Sequence, residues 1–336
     1  MQTLIEAEEK PLGVIESLQQ GFNFLNRHLW LLLPLIILDI GLWLGPRLSI
    51  APLIQGVESL LADQPEMPAD VAANFNTAID TLQAFGSGYN LLSLLAGLLT
   101  GIPSLMARLD IHAIGSPISP VILLSDWHTV LLLVASLIPL GVLIGSYWLT
   151  LIAFSLEGKR IRSAAFLRRW GWVWLNVNLY LLALLFILAF FSVMFGVIGA
   201  FALVFGAAGA LFIAVLWIFF IGFSIWLSIS LYFVVISVAM DGVNLARAVW
   251  RSLNVVGRNA VSTLGFFILA QMLMEGFARI WARLSVHEWG VALSILGNAY
   301  LGAAIVTAAF LFYQSRYQHW RRTRAMIMLN QSDEHA

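Results

Sequence analysis

No cysteine occurs in the 336 residues, which removes disulfides, thiolate metal sites, iron–sulfur clusters and cysteine nucleophiles together. Charge is nearly as scarce. Charged residues make up 11% of the chain and the formal net charge is zero, so no basic surplus invites nucleic acid. The six histidines, His28, His112, His128, His287, His319 and His335, fall outside the centres of the apolar runs, which argues against haem ligation within a bundle. No phosphate-binding loop, GxSxG elbow, HExxH pair or paired catalytic carboxylate appears, so neither enzymatic chemistry nor a cofactor is expected. The first 28 residues carry Glu6, Glu8, Glu9, Lys10 and Glu16 and lack the pattern of a cleaved signal peptide, so the first span is expected to act as an uncleaved anchor.

What is present is apolar surface. Apolar residues make up 60% of the chain and mean hydropathy is +0.89, the composition of a polytopic membrane protein. From Trp170 to Met240 there is no Asp, Glu, Lys, Arg or His. As one helix this run would extend about 106 Å, against a hydrocarbon core of about 30 Å, so it must cross more than once. Lys159, Arg160, Arg162, Arg168 and Arg169 precede it and Arg247, Arg251 and Arg258 follow it. Basic flanks stay cytoplasmic, which predicts an even number of crossings. The spacing predicts spans over 173–198 and 210–238, with the turn in the glycine-rich stretch from Gly196 to Ala210.

The other segments fall into place around this run. Residues 12–27 read as an amphipathic interfacial helix, with Val14, Ile15, Leu18, Phe22 and Leu25 on its apolar arc. The first span is predicted from Leu29 to Trp43, with Asp39 near its middle. Residues 46–128 hold seven acidic and two basic residues and form an acidic extracytoplasmic insertion. Within it, 68–85 looks helical. Residues 91–107 are apolar but interrupted by Gly101 and Pro103, which suits a re-entrant or surface-lying segment. Further spans are predicted at 129–154, 260–278 and 289–313. Residues 243–258 form a second amphipathic helix, with Leu245, Ala246, Val249, Trp250, Leu253 and Val256 on its apolar arc, and 316–336 form a basic cytoplasmic tail. The expected fold is therefore all-α: a polytopic bundle of about six spans. These form three hairpins, each preceded by an amphipathic interfacial segment, over 12–154, 159–240 and 242–315. The rival topology counts 91–107 as a crossing and gives seven spans.

The segment VVISVAMDGVNLARAVWRSLNVVGRNAVSTLGFFIL (234–269) resembles a pattern in six-span bacterial membrane proteins. These are the families grouped around the glycerophosphodiester phosphodiesterase membrane domain and the YciC-like proteins. The shared features are the pair Asp241-Gly242, the stretch from Ala248 to Ser252, and Arg258-Asn259 before the next span. In those proteins the phosphodiesterase chemistry belongs to a separate soluble barrel of about 250 residues, which has no room in this chain. The resemblance implies a membrane domain standing alone.

Four groups of residues are candidates for function. Asp39 in mid-span would cost about 2.5–3.5 kcal/mol on insertion scales and should face the bundle interior. It is either a proton or cation relay or a hydrogen-bonded structural carboxyl. Glu275, Arg279 and Arg283 share one helix face; they offer an outward anion or headgroup site, a cationic partner for Asp39, or a self-paired helix end. Lys159, Arg160, Arg162, Arg168, Arg169, Arg247, Arg251 and Arg258 could contact anionic lipid headgroups as well as set topology. His112 and His128 with Asp110 and Asp126 are the one cluster of metal-ligand types, at irregular spacing, and no metal is expected. Of the tryptophans, Trp217 and Trp226 fall mid-span and read as packing residues. The expected function is a non-enzymatic plasma-membrane protein with both termini cytoplasmic: an accessory or scaffold subunit, or a lipid-interacting module. Its partners would be membrane lipids and a membrane protein. The alternative is a small transporter or channel using Asp39, and a membrane-embedded lipid enzyme stands third.

Overall fold

The computed structural model describes residues 11–62, 77, 79–84, 86, 88–97, 101–108, 120–161 and 163–333. The chain is an all-α, multi-pass membrane protein. Ten helices are described in full: α1 (Val14–Arg27), α2 (Leu33–Leu44), α3 (Ala51–Ala62), α4 (Trp127–Leu156), α5 (Ala164–Leu203), α6 (Gly206–Ser230), α7 (Val234–Asp241), α8 (Leu245–Arg258), α9 (Ala260–Leu284) and α10 (Glu288–Asp333). Among the described residues five helical segments are long and apolar enough to cross a membrane, or six if α1 and the stretch Leu29–Leu44 together count as one span. Residues 79–84 are helical, within the predicted 68–85 helix.

The contacts divide the chain into two compact units, residues 1–27, 149–271 and 304–336 in one, and residues 28–148 and 272–303 in the other. In the first unit α5 and α6 form a hairpin. The sequence places its turn within Gly196 to Ala210, and it is formed there by Val204 and Phe205, with α5 running past the predicted span end at 198 to Leu203. Glycines that water would unravel stay helical here, because a lipid-facing backbone has no other hydrogen-bond partner. Gly206 starts α6 at φ 57°. A Cβ on Gly209 would lie 1.8 Å from the Ala202 carbonyl oxygen, so the two helices cross closely just past the turn.

The second predicted span of this hairpin, 210–238, is broken at residues 231–233 between α6 and α7. Ser252 of α8 closes the break: its hydroxyl donates to the Ser230 carbonyl (2.7 Å) and accepts the Phe233 amide (3.2 Å). α7 ends at Gly242 in the left-handed conformation, φ 63°, and Asn244 caps α8 by accepting the Arg247 amide. The middle repeat lacks a separate interfacial helix, because Ser163 caps a helix that continues straight into the span. The predicted tail from 316 is also helix, the continuation of α10.

The inward faces of α1 and α8 each combine small residues with aliphatic ones. α1 buries Ser17, Leu18, Gly21 and Leu25, while Ile15 of its predicted apolar arc is exposed. A Cβ on Gly21 would meet the Ala304 carbonyl at 2.6 Å and Ala308 Cβ at 2.7 Å. α8 buries Ala248, Ser252, Val255 and Val256 and leaves Trp250 exposed. Close helix approach through Gly, Ala and Ser is the usual solution in lipid.

In the second unit two three-residue strands, β1 (Arg47–Ser49) and β2 (Val121–Leu123), pair in parallel. One apolar cluster joins Leu42, Ala96, Leu105, Met106, Val291 and Ile295; another joins Leu53, Leu91, Leu124, Val130 and Leu137. Among the described residues of 91–107 no helix is long enough to cross a membrane. They hold a 3-10 turn over Leu91–Leu95, an antiparallel bridge between Gly97 and Ile102, and a turn after Ser104. Ile102, Ser104, Leu105 and Met106 are buried within the protein.

Candidate functional site

Asp39 has no solvent exposure. Its carboxylate is met by the non-helical turn 65 or more residues further along the chain. Ser104 donates its hydroxyl to Oδ1, the Leu105 amide donates to Oδ2 at 3.0 Å, and the Met106 amide donates to Oδ1 at 3.4 Å. The Ser104 Oγ in turn accepts the Ala107 amide at 3.1 Å. The Ser104 amide bonds to Ile102 and the Arg108 amide to Leu105. Every amide from Ser104 to Arg108 is thus accounted for. Irregular backbone in an apolar interior needs such partners, and a carboxylate can serve several at once. The far side of the turn is held by α10: Asn298 donates to the Pro103 carbonyl at 2.9 Å, and Gly302 leaves room for the Pro103 ring, which a Cβ would approach to 2.5 Å.

The predicted face of Glu275, Arg279 and Arg283 lies exposed on α9. Glu275 pairs with Arg108 at 3.4 Å across the fold. It is not the start of a self-paired i, i+4 ladder, because Arg108 arrives on the turn that Asp39 orders. Arg279 and Arg283 do not meet Asp39.

A second polar cluster, in the other unit, was not anticipated. The Asp241 Oδ2 lies 2.6 Å from Arg251 Nη1 and 2.7 Å from the Tyr313 hydroxyl, which is also 3.0 Å from Ser237 Oγ. Burial works against the Arg251 charge, but Asp241, with Tyr317 and Tyr313, outweighs it and holds the guanidinium pKa above its ordinary value. Arg251 also sits 4.7 Å over the Tyr317 ring, and Arg258 and Arg324 lie 5.5 and 5.8 Å from Trp320. Spacing in the sequence carries no signal for this cluster, whose members come from three helices.

The basic residues therefore divide. Arg169 donates to the Ala239 and Met240 carbonyls (3.2 and 2.7 Å), closing the C-terminus of α7, with its guanidinium over Gly242. Arg251 is held by Asp241, and Lys159 pairs with Glu157 at 2.8 Å. Arg160, Arg168, Arg247 and Arg258 are exposed. Arg162 lies outside the described residues, as do Asp110 and His112. Of that predicted cluster, His128 and Asp126 are 3.3 Å apart. The Thr129 amide and hydroxyl, then His128, hold the Asp126 carboxyl down to about 2, the behaviour of a helix cap. Among the described residues no group of three metal-ligating side chains occurs. Trp217 and Trp226 sit in an aromatic ladder between α5 and α6, Trp217 stacking on Phe195 at 6.0 Å.

Comparison of the chain with family models, curated proteins and solved structures returns no match.

Proposed function

We propose that this multi-pass protein is a non-enzymatic lipid-interacting scaffold or accessory subunit of the plasma membrane, with both termini cytoplasmic. The observation that carries the reading is the division of its basic residues. Arg169 and Arg251 are tied into the fold, while Arg160, Arg168 and Arg247 stay exposed, with Trp172 on α5 and Trp250 on α8 also exposed. Exposed arginine with exposed tryptophan is the composition of a membrane–water boundary, where each basic residue adds about 1 kcal/mol of attraction to an anionic surface. A transport role would need Asp39 to exchange a proton or cation, and its oxygens already serve three donors, which favours the scaffold.

The test is purification in native lipid discs followed by mass spectrometry of everything retained. Retained anionic lipid that falls in an Arg160→Gln/Arg168→Gln/Arg247→Gln variant is the expected result. A stoichiometric protein partner would identify the accessory form of the role. Lipid content that ignores the three substitutions, with no protein retained, sinks the proposal.

A further inference from the structure

The turn between α5 and α6 carries no polar side chain. Phe201, Val204 and Phe205 are 69%, 80% and 71% exposed, and no charged residue lies within about thirty positions on either side. The turn between α9 and α10 is built from the opposite materials: Arg283, Ser285, His287 and Glu288 lie within six residues. Helix turns that emerge into water look like the second. The first presents bare hydrocarbon at its tip and is no floppy loop, since it is two residues long and its helices touch at Gly209.

Length sharpens the point. From Asn178, the last amide-bearing side chain before the tip, to Leu203 the helix rises about 38 Å. Tilted by the average of about 20°, it still spans about 35 Å; only at about 37°, near the edge of what membrane helices adopt, does it fit the ordinary hydrocarbon core of about 30 Å. α6 returns over about 36 Å from Gly206 to Ser230, carrying Ser224 and Ser228 before that end. The Val204 and Phe205 amides are satisfied by the Phe201 and Ala202 carbonyls, but no side chain caps the first turn of α6. Lipid ester carbonyls, at the boundary between acyl chains and headgroups, are acceptors of the kind those amides lack.

We propose that the α5–α6 tip is seated in the acyl-chain region of the leaflet opposite Arg168, its first α6 amides at the ester level. This seating makes the hairpin a ruler that favours bilayers of long-chain phospholipid. The occupant of the exposed tip is hydrocarbon, with neither water nor a second protein covering it.

The absence of cysteine makes the test direct. Phe205→Cys in the full chain, and His287→Cys as the control turn, are each labelled with an environment-sensitive fluorophore. Both are reconstituted in phosphatidylcholine discs whose chains run from about 14 to about 22 carbons. Iodide should quench the label at 205 at least about fivefold less than the label at 287, because an ion enters hydrocarbon so poorly. The protection should weaken in the shortest chains, and the unfolding midpoint should rise toward the longest. Equal quenching at both positions in every lipid overturns the proposal and puts the tip in water. Protection that disappears when discs are diluted to one chain each also overturns it, since a second copy would then be the cover. Should Phe205→Cys fail to fold, Val204→Cys at the same tip carries the same readout.

Discussion

α10 and the α5–α6 hairpin are built on opposite rules. The most apolar windows of α5 and of the α6–α7 segment have mean hydropathies of 2.9 and 2.5, yet only 6% and 0% of those windows are buried inside the protein; α10, at 1.8, buries 72%. In water the most apolar helix would be the core. In lipid the apolar helix gains nothing by leaving hydrocarbon, so the interior goes to the helix whose small side chains let others approach. α10 presents Gly302, Ala303, Ala304, Thr307 and Ala308 inward, with Asn298 a turn earlier. The interior is thus marked by smallness and hydrogen bonding, and the exterior by hydropathy. Three kinds of substitution should separate these rules.

The largest effect should come from Asp39. Asp39→Leu orphans the Ser104 hydroxyl and the Leu105 and Met106 amides, each costing about 1–3 kcal/mol when buried, for a loss of about 3 kcal/mol or more. Asp39→Asn keeps one acceptor oxygen and should lose about 1–2 kcal/mol. Unfolding in mixed micelles measures both. Equal, small losses would mean that Asp39 does not order the turn and would return it to the list of relay candidates.

Next come the glycines at close approaches. Gly21→Leu drives a side chain into Ala304 and Ala308, and Gly302→Leu drives one into Pro103. Overpacking of this kind costs about 1–3 kcal/mol. Tolerance at both sites would show that smallness does not define the interior, and the contrast between α10 and the hairpin would fail.

The sequence made the exterior far more legible than the interior, and for the same reason. An uncharged run from Trp170 to Met240 declares its crossings through hydropathy alone, and Gly101 and Pro103 mark 91–107 as interrupted. The partner of Asp39 was hidden, because the Ser104 bond joins residues 65 apart and nothing in local spacing links a mid-span carboxylate to a distant turn. The Asp241, Arg251 and Tyr313 cluster was hidden likewise. Glycine misled in one place: the predicted span ends at 198, but Gly199 lies within α5, where a Cβ would find open space.

The smallest effect is the most informative about the outer surface. Phe186 and Ile218 are 74% and 71% exposed on α5 and α6. If lipid covers them, Phe186→Leu and Ile218→Leu exchange one hydrocarbon surface for another against a hydrocarbon solvent. The paired change should then stay within about 0.5 kcal/mol, as for surface positions away from special features. The same number of methylenes altered at Ala304 would be felt at once. A loss well above that from Phe186→Leu/Ile218→Leu would mean that the outer face is fitted to a shape, and only a protein presents one. The size of this single loss therefore tells whether the hairpin meets lipid along its length or carries the docking face of an accessory subunit.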